Sequence, residues 1–278
     1  MIILNMLFKY RFLLLLFSGI IFGQDYYVSE SHGLDTNDGS ESFPFKTINR
    51  AISSVSAGGT IFVMEGIYNN NNYGLVDVEN SLNMSNPHVV TINKSGTEGN
   101  YITLRNYPGQ LPKIQFDGRG GIIISNEMNY IIIEGFEVEG PSQNIDYDMA
   151  MADRAYKVLV AEDENDNTNY NHSYFSGKGI WGGYGAHHHI IIRNNIVHDT
   201  PGSAIRFNDS DHITIEYNEV YNSTWWTSSA SSAIVFAETI SGSEEDNGNA
   251  IKMIMRGNTV YNNWNRIPFY VTQLPDNS

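Results

Sequence analysis

The 278-residue chain contains no cysteine and few basic residues. Without cysteine, no disulfide framework holds the fold, and an export signal carrying a lipid anchor is excluded. Only 16 Lys and Arg residues stand against 31 Asp and Glu, which gives a formal net charge of −15. An acidic surface of this kind argues against binding to nucleic acid or to an anionic membrane, and it suits divalent cations.

A long membrane-spanning run is also missing. The apolar run at residues 12–22 follows Lys9 and Arg11, is short for a membrane span and ends near small residues, so we interpret residues 1–23 as a signal peptide. Export without cysteine is typical of a bacterial secreted or periplasmic protein. No linker rich in proline or in serine and glycine divides the remainder, so we expect residues 25–278 to form one monomeric domain.

A phrase of alternating apolar residues recurs along the second half of the chain, at residues 131–138, 190–197, 213–220 and 253–260. Asn195, Asn218 and Asn258 occupy the same place in three of the copies, 23 and 40 residues apart. Repeats of this length are single coils of a solenoid, because one coil cannot bury its apolar side alone. The spacing predicts short stacked strands with a ladder of Asn side chains at one turn.

The first half of the chain begins with a different pattern. A short strand at residues 25–29 is followed by a predicted amphipathic helix at residues 49–55, which Gly58-Gly59 ends before strands resume at residues 60–64 and 66–68. Further strands are predicted at residues 89–92, 101–105, 113–116 and 122–124. Two polar, acidic stretches, residues 153–173 and 241–249, are interpreted as long loops between coils.

This beginning resembles that of secreted, pectin-lyase-like proteins. The residues that carry the resemblance are Tyr26-Tyr27-Val28-Ser29, Gly39, Pro44-Phe45-Lys46-Thr47-Ile48, Ala51-Ile52, Gly58-Gly59-Thr60-Ile61 and Gly66-Ile67-Tyr68. The resemblance implies an all-β, single-stranded, right-handed parallel β-helix with a short N-terminal capping helix. The family includes polysaccharide lyases, glycoside hydrolases and proteins without assigned activity, so the fold does not settle the reaction. No closing cap is recognisable near residues 261–278, as expected of a chain truncated within a longer solenoid.

Alignment of three later strands predicts which side chains face outward. Ile180, Ile205 and Ile234 align in the interior, so Trp181, Arg206 and Val235 should lie at one outward position on successive coils. Extended polymers lie along such a surface in this type of fold. We therefore take the outward residues as candidates for substrate binding, listed as Trp181, Tyr184, Asn208, Trp225 and Trp226; an exposed tryptophan would pack against sugar rings.

Candidate catalytic residues are Lys178, Arg206, His187 and His189. Lys178 and Arg206 look like the Lys/Arg pairs of β-helix lyases, in which a base removes the proton next to a uronate carboxylate and positive charge stabilises the resulting anion. The alternative is that Arg206 pairs with Asp209 and that Lys178 is a solvated turn residue. Strand alternation places His187 and His189 on one side, where either could act as a base or simply belong to a turn.

Asp209, Asp211 and Glu238 are the candidate metal ligands. Carboxylates on adjacent turns suit Ca²⁺, although Asp also favours turns for its own reasons, and the same residues could serve as the acid and base of a glycosidase. No organic cofactor is expected, because no dinucleotide or P-loop pattern occurs, and no GxSxG nucleophile motif or zinc-finger spacing is found either. We predict an exported protein that acts on an acidic polysaccharide, foremost as a β-eliminating lyase. A β-helix glycoside hydrolase and a non-catalytic carbohydrate-binding or surface protein are the alternatives.

Overall fold

The computed structural model describes residues 23–75, 87–162, 173–227, 231–240 and 251–266. Three predictions fall wholly or almost wholly outside these ranges: the signal peptide, the loop at residues 241–249 and the state of the last residues of the chain. The described residues are mostly short strands that pair in parallel. They are β1 (Tyr26–Val28), β2 (Thr60–Val63), β3 (Ile67–Tyr68), β4 (Val90–Ile92), β5 (Ile102–Asn106), β6 (Lys113–Gln115), β7 (Gly120–Ile124), β8 (Ile131–Glu134), β9 (Glu137–Glu139), β10 (Lys178–Gly182), β11 (His187–Arg193), β12 (Ile196–His198), β13 (Ile205–Glu216), β14 (Glu219–Tyr221), β15 (Ile234–Thr239), β16 (Met253–Arg256) and β17 (Thr259–Tyr261).

The strands form an 11-stranded and a 6-stranded sheet around one core, and the long strand β13 joins two faces of the larger sheet. Face I contains β1, β2, β5, β8, β11, the second part of β13 and β16; face II contains β3, β6, β9, β12, β14 and β17; face III contains β4, β7, β10, the first part of β13 and β15. The chain passes from face III to face I to face II and then begins the next coil. This is the predicted parallel β-helix.

The repeated phrase sets the register between coils, as predicted. Ile131, Ile190, Ile213 and Met253 are paired in order along face I. The three isoleucines are fully buried, and Met253 packs against the same core. Burying an isoleucine side chain contributes about 1.5–3 kcal/mol, so the stacked apolar column is the main source of stability.

The asparagine ladder is also present. The Nδ2 group of Asn195 donates to Oδ1 of Asn218 at 3.1 Å, and Nδ2 of Asn218 donates to Oδ1 of Asn258 at 3.0 Å. Each Asn also donates to a backbone carbonyl two residues before the preceding turn, on Ile133, Ile192 and Ile215 respectively. The ladder therefore satisfies backbone groups that the turn leaves without partners.

A second ladder on face I consists of charged residues. Arg105, Glu134, Arg193, Glu216 and Arg256 occupy one position on five successive coils, so positive and negative side chains alternate along the solenoid. Arg105 lies 3.2 Å from Glu134, Arg193 lies 2.5 Å from Glu134, and Arg256 lies 2.7 Å from Glu216. Both glutamates are buried, and each has a cation on a neighbouring coil.

The N-terminal helix α1 (Ile48–Ser54) closes one end of the solenoid, as the resemblance implies. The hydroxyl of Thr47 accepts a hydrogen bond from the Arg50 N–H and caps the helix, and Ile48 and Ile52 are buried. Asn49 on this helix forms hydrogen bonds with β4 and the residue before it: it donates to Val89 O and accepts from Thr91 N, both at 2.9 Å. The helix therefore covers the edge of face III that would otherwise be unpaired.

The interpretation of residues 153–173 as a loop is wrong for its first part. Helix α2 (Tyr147–Glu162) occupies residues 153–162 as well. Asp146 begins the helix, because its carboxylate accepts the N–H groups of Asp148 and Met149 at 2.9 and 3.1 Å. Alanine and methionine residues favour a helix here, and Ala150 packs in a small second core. None of the described helices has the length and apolar character needed to cross a membrane.

The turn before the asparagine ladder requires a left-handed backbone. Gly135, Asn194, Tyr217 and Gly257 occupy this position on successive coils, with φ between 55° and 82°. Glycine and asparagine adopt this conformation readily, but tyrosine does not. Because Tyr217 is 56 % exposed, burial of its side chain offsets little of the strain in its backbone.

We expect Tyr217→Asn to stabilise the protein by about 0.5–1 kcal/mol, because the strained backbone conformation suits asparagine better than tyrosine. Urea denaturation would measure the change. Tyr221→Asn is the matched control, because Tyr221 is in a strand of face II and stacks on its neighbours; it should lose stability. A loss in Tyr217→Asn would contradict the strain argument.

Candidate functional site

The outward side of face III carries the row of residues that the sequence predicted. Ile123, Trp181, Arg206 and Val235 are paired in order on successive strands. All four are half-buried, whereas Ile180 and Ile205 beside them are fully buried in the core. The predicted register is confirmed, and we call this outward surface the Trp181 face.

Cationic side chains gather around the Trp181 indole. The Lys178 ammonium lies 4.6 Å from the centre of the indole ring, which is a cation–π contact. Arg206 is paired with Trp181 on the next strand, and Arg119 precedes Gly120, which is paired with Lys178. In a chain with a net charge of −15, one cation therefore contacts the indole, and two others occupy neighbouring strand positions.

Two more rings complete this group. The His88 ring lies 5.7 Å from the Trp181 ring, and the Tyr184 ring meets Trp181 edge-on at 5.9 Å. Tyr184 is 63 % exposed, so its ring is the one that a ligand in solvent reaches most easily. Burial and the charges of Arg119 and Lys178 lower the pKa of His88 to about 4, which leaves this imidazole neutral at neutral pH.

Lys178 and Arg206 do not occupy equivalent positions. The register pairs Arg206 with Trp181, so Lys178 lies three residues earlier along its strand. Both residues nevertheless adjoin Trp181, one through its ammonium group and the other through strand pairing. Nε of Arg206 donates to Oδ1 of Asn208 at 2.8 Å, so Arg206 is bonded to Asn208 and not, as the alternative had it, to Asp209. Asn208 is 4 % exposed, and the prediction of an outward-facing Asn208 is wrong because Arg206 covers it.

The prediction that His187 and His189 share one side is wrong. His187 is fully buried, with its ring nitrogens 3.2 Å from Met128 O and 3.1 Å from Gly183 O, and burial lowers its pKa. His189 adopts a left-handed backbone with φ of 55°, which breaks the alternation of the strand. The His189 ring lies instead in a stack between Tyr130, at 4.8 Å, and His212, at 4.6 Å, on neighbouring coils.

Two of the three predicted metal ligands, Asp209 and Glu238, occupy equivalent positions, and a bend in β13 separates Asp211 from them. Asp209 and Glu238 occupy equivalent left-handed positions on adjacent coils, with φ of 44° and 59°. Asp209 is half-buried and Glu238 is exposed. Asp211, however, is fully buried and lies 3.0 Å from His212 and 3.9 Å from Lys252. The prediction that Asp211 faces outward is wrong, because the left-handed residues on both sides of it turn its side chain inward.

Trp225 and Trp226 do not form an exposed sugar-binding platform. They are 4 % and 2 % exposed, and their indole N–H groups donate to Asn262 O and Ser142 O. Both belong to the second core with Ala150 of α2. The guanidinium of Arg266 lies 3.6 Å from the centre of the Trp225 ring. The prediction of an exposed tryptophan here is wrong, because helix α2 and the last described coil cover both rings.

Face II carries a charged cluster that the sequence did not reveal. Lys113 lies 2.7 Å from Glu137 and 2.5 Å from Glu139, and His198 lies 3.2 Å from Glu137 and 2.6 Å from Asp199. Three members of this cluster have ligand atoms within 4.8 Å of one another, which is close enough to hold a metal ion: Glu137, Glu139 and His198. The Lys113 ammonium already supplies a positive charge to both glutamates. The pairing of His198 with Glu139 across coils was the missing signal, because 59 residues separate them in sequence.

The face II cluster has opposing effects on its members' pKa values. Burial by itself would lower the pKa of His198, but the carboxylates of Asp199 and Glu137 outweigh burial and raise it above 6.5. Burial would raise the pKa of Glu137, but Lys113 and His198 lower it below its usual 4.5. The stabilising effect of His198 is therefore complete below pH 6.5 and lost as the pH rises through its raised value. That of Glu137 is complete above pH 4.5 and lost on acidification.

We expect the contribution of this cluster to folding stability to be largest near pH 5–6. His198→Gln should remove the decline on the alkaline side of pH 6.5, and chemical denaturation between pH 4 and pH 9 would measure it. His32→Gln is the control, because His32 is exposed and its ring bonds to the Ser31 hydroxyl. An unchanged alkaline decline in His198→Gln would show that other groups cause it.

Comparisons with known proteins agree with this architecture. Residues 26–263 match the family model described as the Pel9A-like, right-handed β-helix region. Among curated proteins, the uncharacterized protein YwoF of Bacillus subtilis (strain 168) is 29 % identical over 86 residues, which are 31 % of this chain and 14 % of that protein.

Two solved structures are similar in fold. Pectate lyase Pel9A has a TM-score of 0.48 at 17 % identity, covering 72 % of this chain and 40 % of that one. The GH136 lacto-N-biosidase from Eubacterium ramulus has a TM-score of 0.47 at 16 % identity, covering 70 % of this chain and 34 % of that one. This chain thus matches less than half the length of each of these three proteins. Since the family match extends over most of its length, the chain belongs to the family of Pel9A-like right-handed β-helix regions.

Proposed function

We propose that the chain acts on an acidic polysaccharide at the Trp181 face and cleaves it by β-elimination. The observation that carries this proposal is the group of cations around one indole on an acidic protein: Lys178 on the ring, Arg206 beside it and Arg119 next to the strand partner of Lys178. A polyuronate presents a carboxylate on each sugar, which such a surface attracts. Membership in a family named after a pectate lyase fits the same substrate class.

β-Elimination has requirements that this face can supply. A base removes the C5 proton next to the uronate carboxylate, the electron pair moves to form the C4–C5 double bond, and the oxygen at C4 departs with its chain. Positive charge near the carboxylate stabilises the anion that develops. In our proposal Arg206, which Asn208 orients, binds the carboxylate. Lys178 acts as the base in its deprotonated form.

The exposed ring of Tyr184 provides a place for a neighbouring sugar. Its edge meets Trp181 while more than half of its surface remains open. Sugar rings present flat C–H surfaces that pack on aromatic faces. We propose that the polymer runs along face III across successive coils, with one sugar at Arg206 and the next at Tyr184.

Calcium would add positive charge at the same face. Asp209 and Glu238 lie at equivalent positions on adjacent coils, where strand spacing brings backbones within about 4.8 Å, and carboxylate oxygens are the ligands that Ca²⁺ prefers. Asp211 fits this role poorly because His212 and Lys252 already surround it. Treatment with a chelator should therefore lower turnover, and added Ca²⁺ should restore it.

The test offers polygalacturonate, alginate and rhamnogalacturonan to the purified chain and measures the ultraviolet absorbance of the unsaturated uronate products that β-elimination forms. We expect Lys178→Ala and Arg206→Ala each to reduce turnover at least about 100-fold, as loss of a base or of an anion-stabilising group does. Lys46→Ala is the matched control, because Lys46 is an exposed cation that precedes helix α1 and lies 4.0 Å from Glu30; it should leave turnover unchanged. Unaltered turnover in both variants of the Trp181 face would refute the assigned roles.

Two other outcomes correspond to the alternative functions. New reducing ends without ultraviolet absorbance would indicate a glycoside hydrolase, for which Asp209 and Glu238 are the paired carboxylates. Binding without new reducing ends would indicate a carbohydrate-binding protein.

The proposal also includes export and a monomeric state. Export predicts that the purified extracellular chain lacks residues 1–23, and sedimentation would test whether the chain is a monomer.

A further inference from the structure

Two buried ring nitrogens beside Lys178 have no hydrogen-bond partner among the described residues. They are Nε2 of His88 and Nε1 of Trp181. Their rings lie 5.7 Å apart with an angle of 38° between the planes. A buried polar atom without a partner is unfavourable by about 1–3 kcal/mol. Two of them side by side therefore need an explanation other than chance.

Both nitrogens can donate to the same kind of group. The indole nitrogen is always a donor, and the imidazole nitrogen donates whenever it carries a proton. The charged groups that act on His88 are Arg119, from the turn before β7, and Lys178, from β10. Gly120 lets the two strands approach here, since a side chain at that position would lie 2.2 Å from Lys178 O and 3.1 Å from the His88 ring. Two ring nitrogens without a hydrogen-bond partner, next to the cation of Arg119, describe a site for an anion.

We propose that His88 Nε2 and Trp181 Nε1, together with Arg119, form a carboxylate-binding subsite in which binding of the anion adds a proton to His88. This inference rests on the proposed function, because it takes the carboxylate of a uronate as the ligand. It adds a residue, a subsite and a proton that the elimination itself does not require. His88 is a binding residue here and takes no part in bond cleavage.

The proton uptake follows from charge. In the free protein His88 is neutral at neutral pH, since burial and two cations oppose a third positive charge. A bound carboxylate offsets those cations and accepts a hydrogen bond from the ring. An opposite charge at this distance favours the protonated form by about 1–3 pH units. By linkage, the affinity for the anion should then rise about 10-fold between pH 7.5 and pH 5.

The test uses digalacturonate as the probe and the purified chain. Isothermal titration calorimetry at pH 5.5 in buffers of different ionisation enthalpy measures the protons taken up on binding, and NMR of ¹³C-labelled histidine follows the His88 ring. We expect net proton uptake with wild type and none with His88→Gln, whose affinity should be independent of pH. Trp181→Phe keeps an aromatic ring but removes the N–H group, so it should weaken binding and retain proton uptake.

His32→Gln is the matched control, because this exposed histidine should leave both affinity and proton uptake unchanged. Circular dichroism establishes that the variants fold. Digalacturonate binding without proton uptake would overturn the subsite while leaving the proposed function intact. If sulfate shifts the NMR signals of the His88 ring and digalacturonate does not bind, the subsite binds anions of another kind, and the uronate assignment is overturned. No response to either anion would refute both.

Discussion

Replacing Asn218 by alanine should destabilise the protein by about 3 kcal/mol. Asn218 is 1 % exposed and forms the middle of the asparagine ladder. Its side chain accepts hydrogen bonds from N and Nδ2 of Asn195 and donates to Ile192 O and to Asn258. Alanine would leave several of these buried groups without partners, and each such group is unfavourable by about 1–3 kcal/mol.

Urea denaturation followed by circular dichroism measures this loss. Asn258→Ala is the matched control, because Asn258 lies at the end of the described ladder and is only half-buried. Water can replace its hydrogen bonds, so its loss should be about 1 kcal/mol. Equal losses for Asn218→Ala and Asn258→Ala would mean that the ladder gives no stability beyond that of a single turn.

The sequence predicted this ladder because its members repeat with their surroundings. Each asparagine of the ladder follows an apolar residue at the same spacing, so the copies of the repeat can be aligned by eye: Ile192 with Asn195, Ile215 with Asn218 and Met255 with Asn258. Side chains that face the core must be apolar on every coil, and asparagine recurs at the turn where its side chains bond to each other. These two constraints leave a visible pattern. The register of Trp181 with Arg206 follows from the same pattern.

Outward positions need be neither apolar nor identical from coil to coil. Irregular backbone conformations at these positions therefore could not be predicted from the sequence. His189, Asp209 and His212 adopt left-handed conformations, which histidine and aspartate only sometimes do. Each one breaks the alternation of sides along the strand around it. As a result His187 and Asp211 are buried, although simple alternation places them at the surface.

Tertiary contact explains the misplaced tryptophans. A Trp-Trp pair in a polar stretch is compatible with either a sugar platform or a buried cluster, and only the position of α2 decides between them. The helix itself could have been predicted: Asp146 as its cap, followed by residues 149–152 with the order Met-Ala-Met-Ala, favours a helix. The acidic residues that follow obscured that signal.

At the candidate site, too, only some of the residues near Trp181 could be predicted from the sequence. Lys178 and Arg206 were found because both lie near the repeated phrase. His88 and Arg119 were missed, since 90 and 59 residues separate them from Lys178 in sequence and α2 lies between. Only stacking of β7 on β10 brings them together. A site that spans several coils cannot be assembled from one strand pattern.

Charge alternation on face I is the feature whose disruption should have the largest effect. Arg193 is paired with Glu134 on one side and with Glu216 on the other. Both glutamates are buried, with 6 % and 7 % of their surface exposed. The ladder places unlike charges on neighbouring coils, so each buried carboxylate is next to a cation.

Arg193→Glu should destabilise the protein by about 4 kcal/mol or prevent folding at neutral pH, because it would stack three carboxylates about 4.8 Å apart. Urea denaturation at pH 7 measures the loss, and repetition at pH 4.5, where carboxylates begin to take up protons, should show a smaller one. Arg256→Glu is the matched reversal at the exposed end of the same ladder: 60 % of the Arg256 side chain is exposed, so solvent screens its charge and the loss should be about 1 kcal/mol. Arg193→Met separates loss of the cation from carboxylate repulsion and should fall between the two. Equal losses for Arg193→Glu and Arg193→Met would show that only the missing cation matters and that the alternation of charge along the solenoid does not.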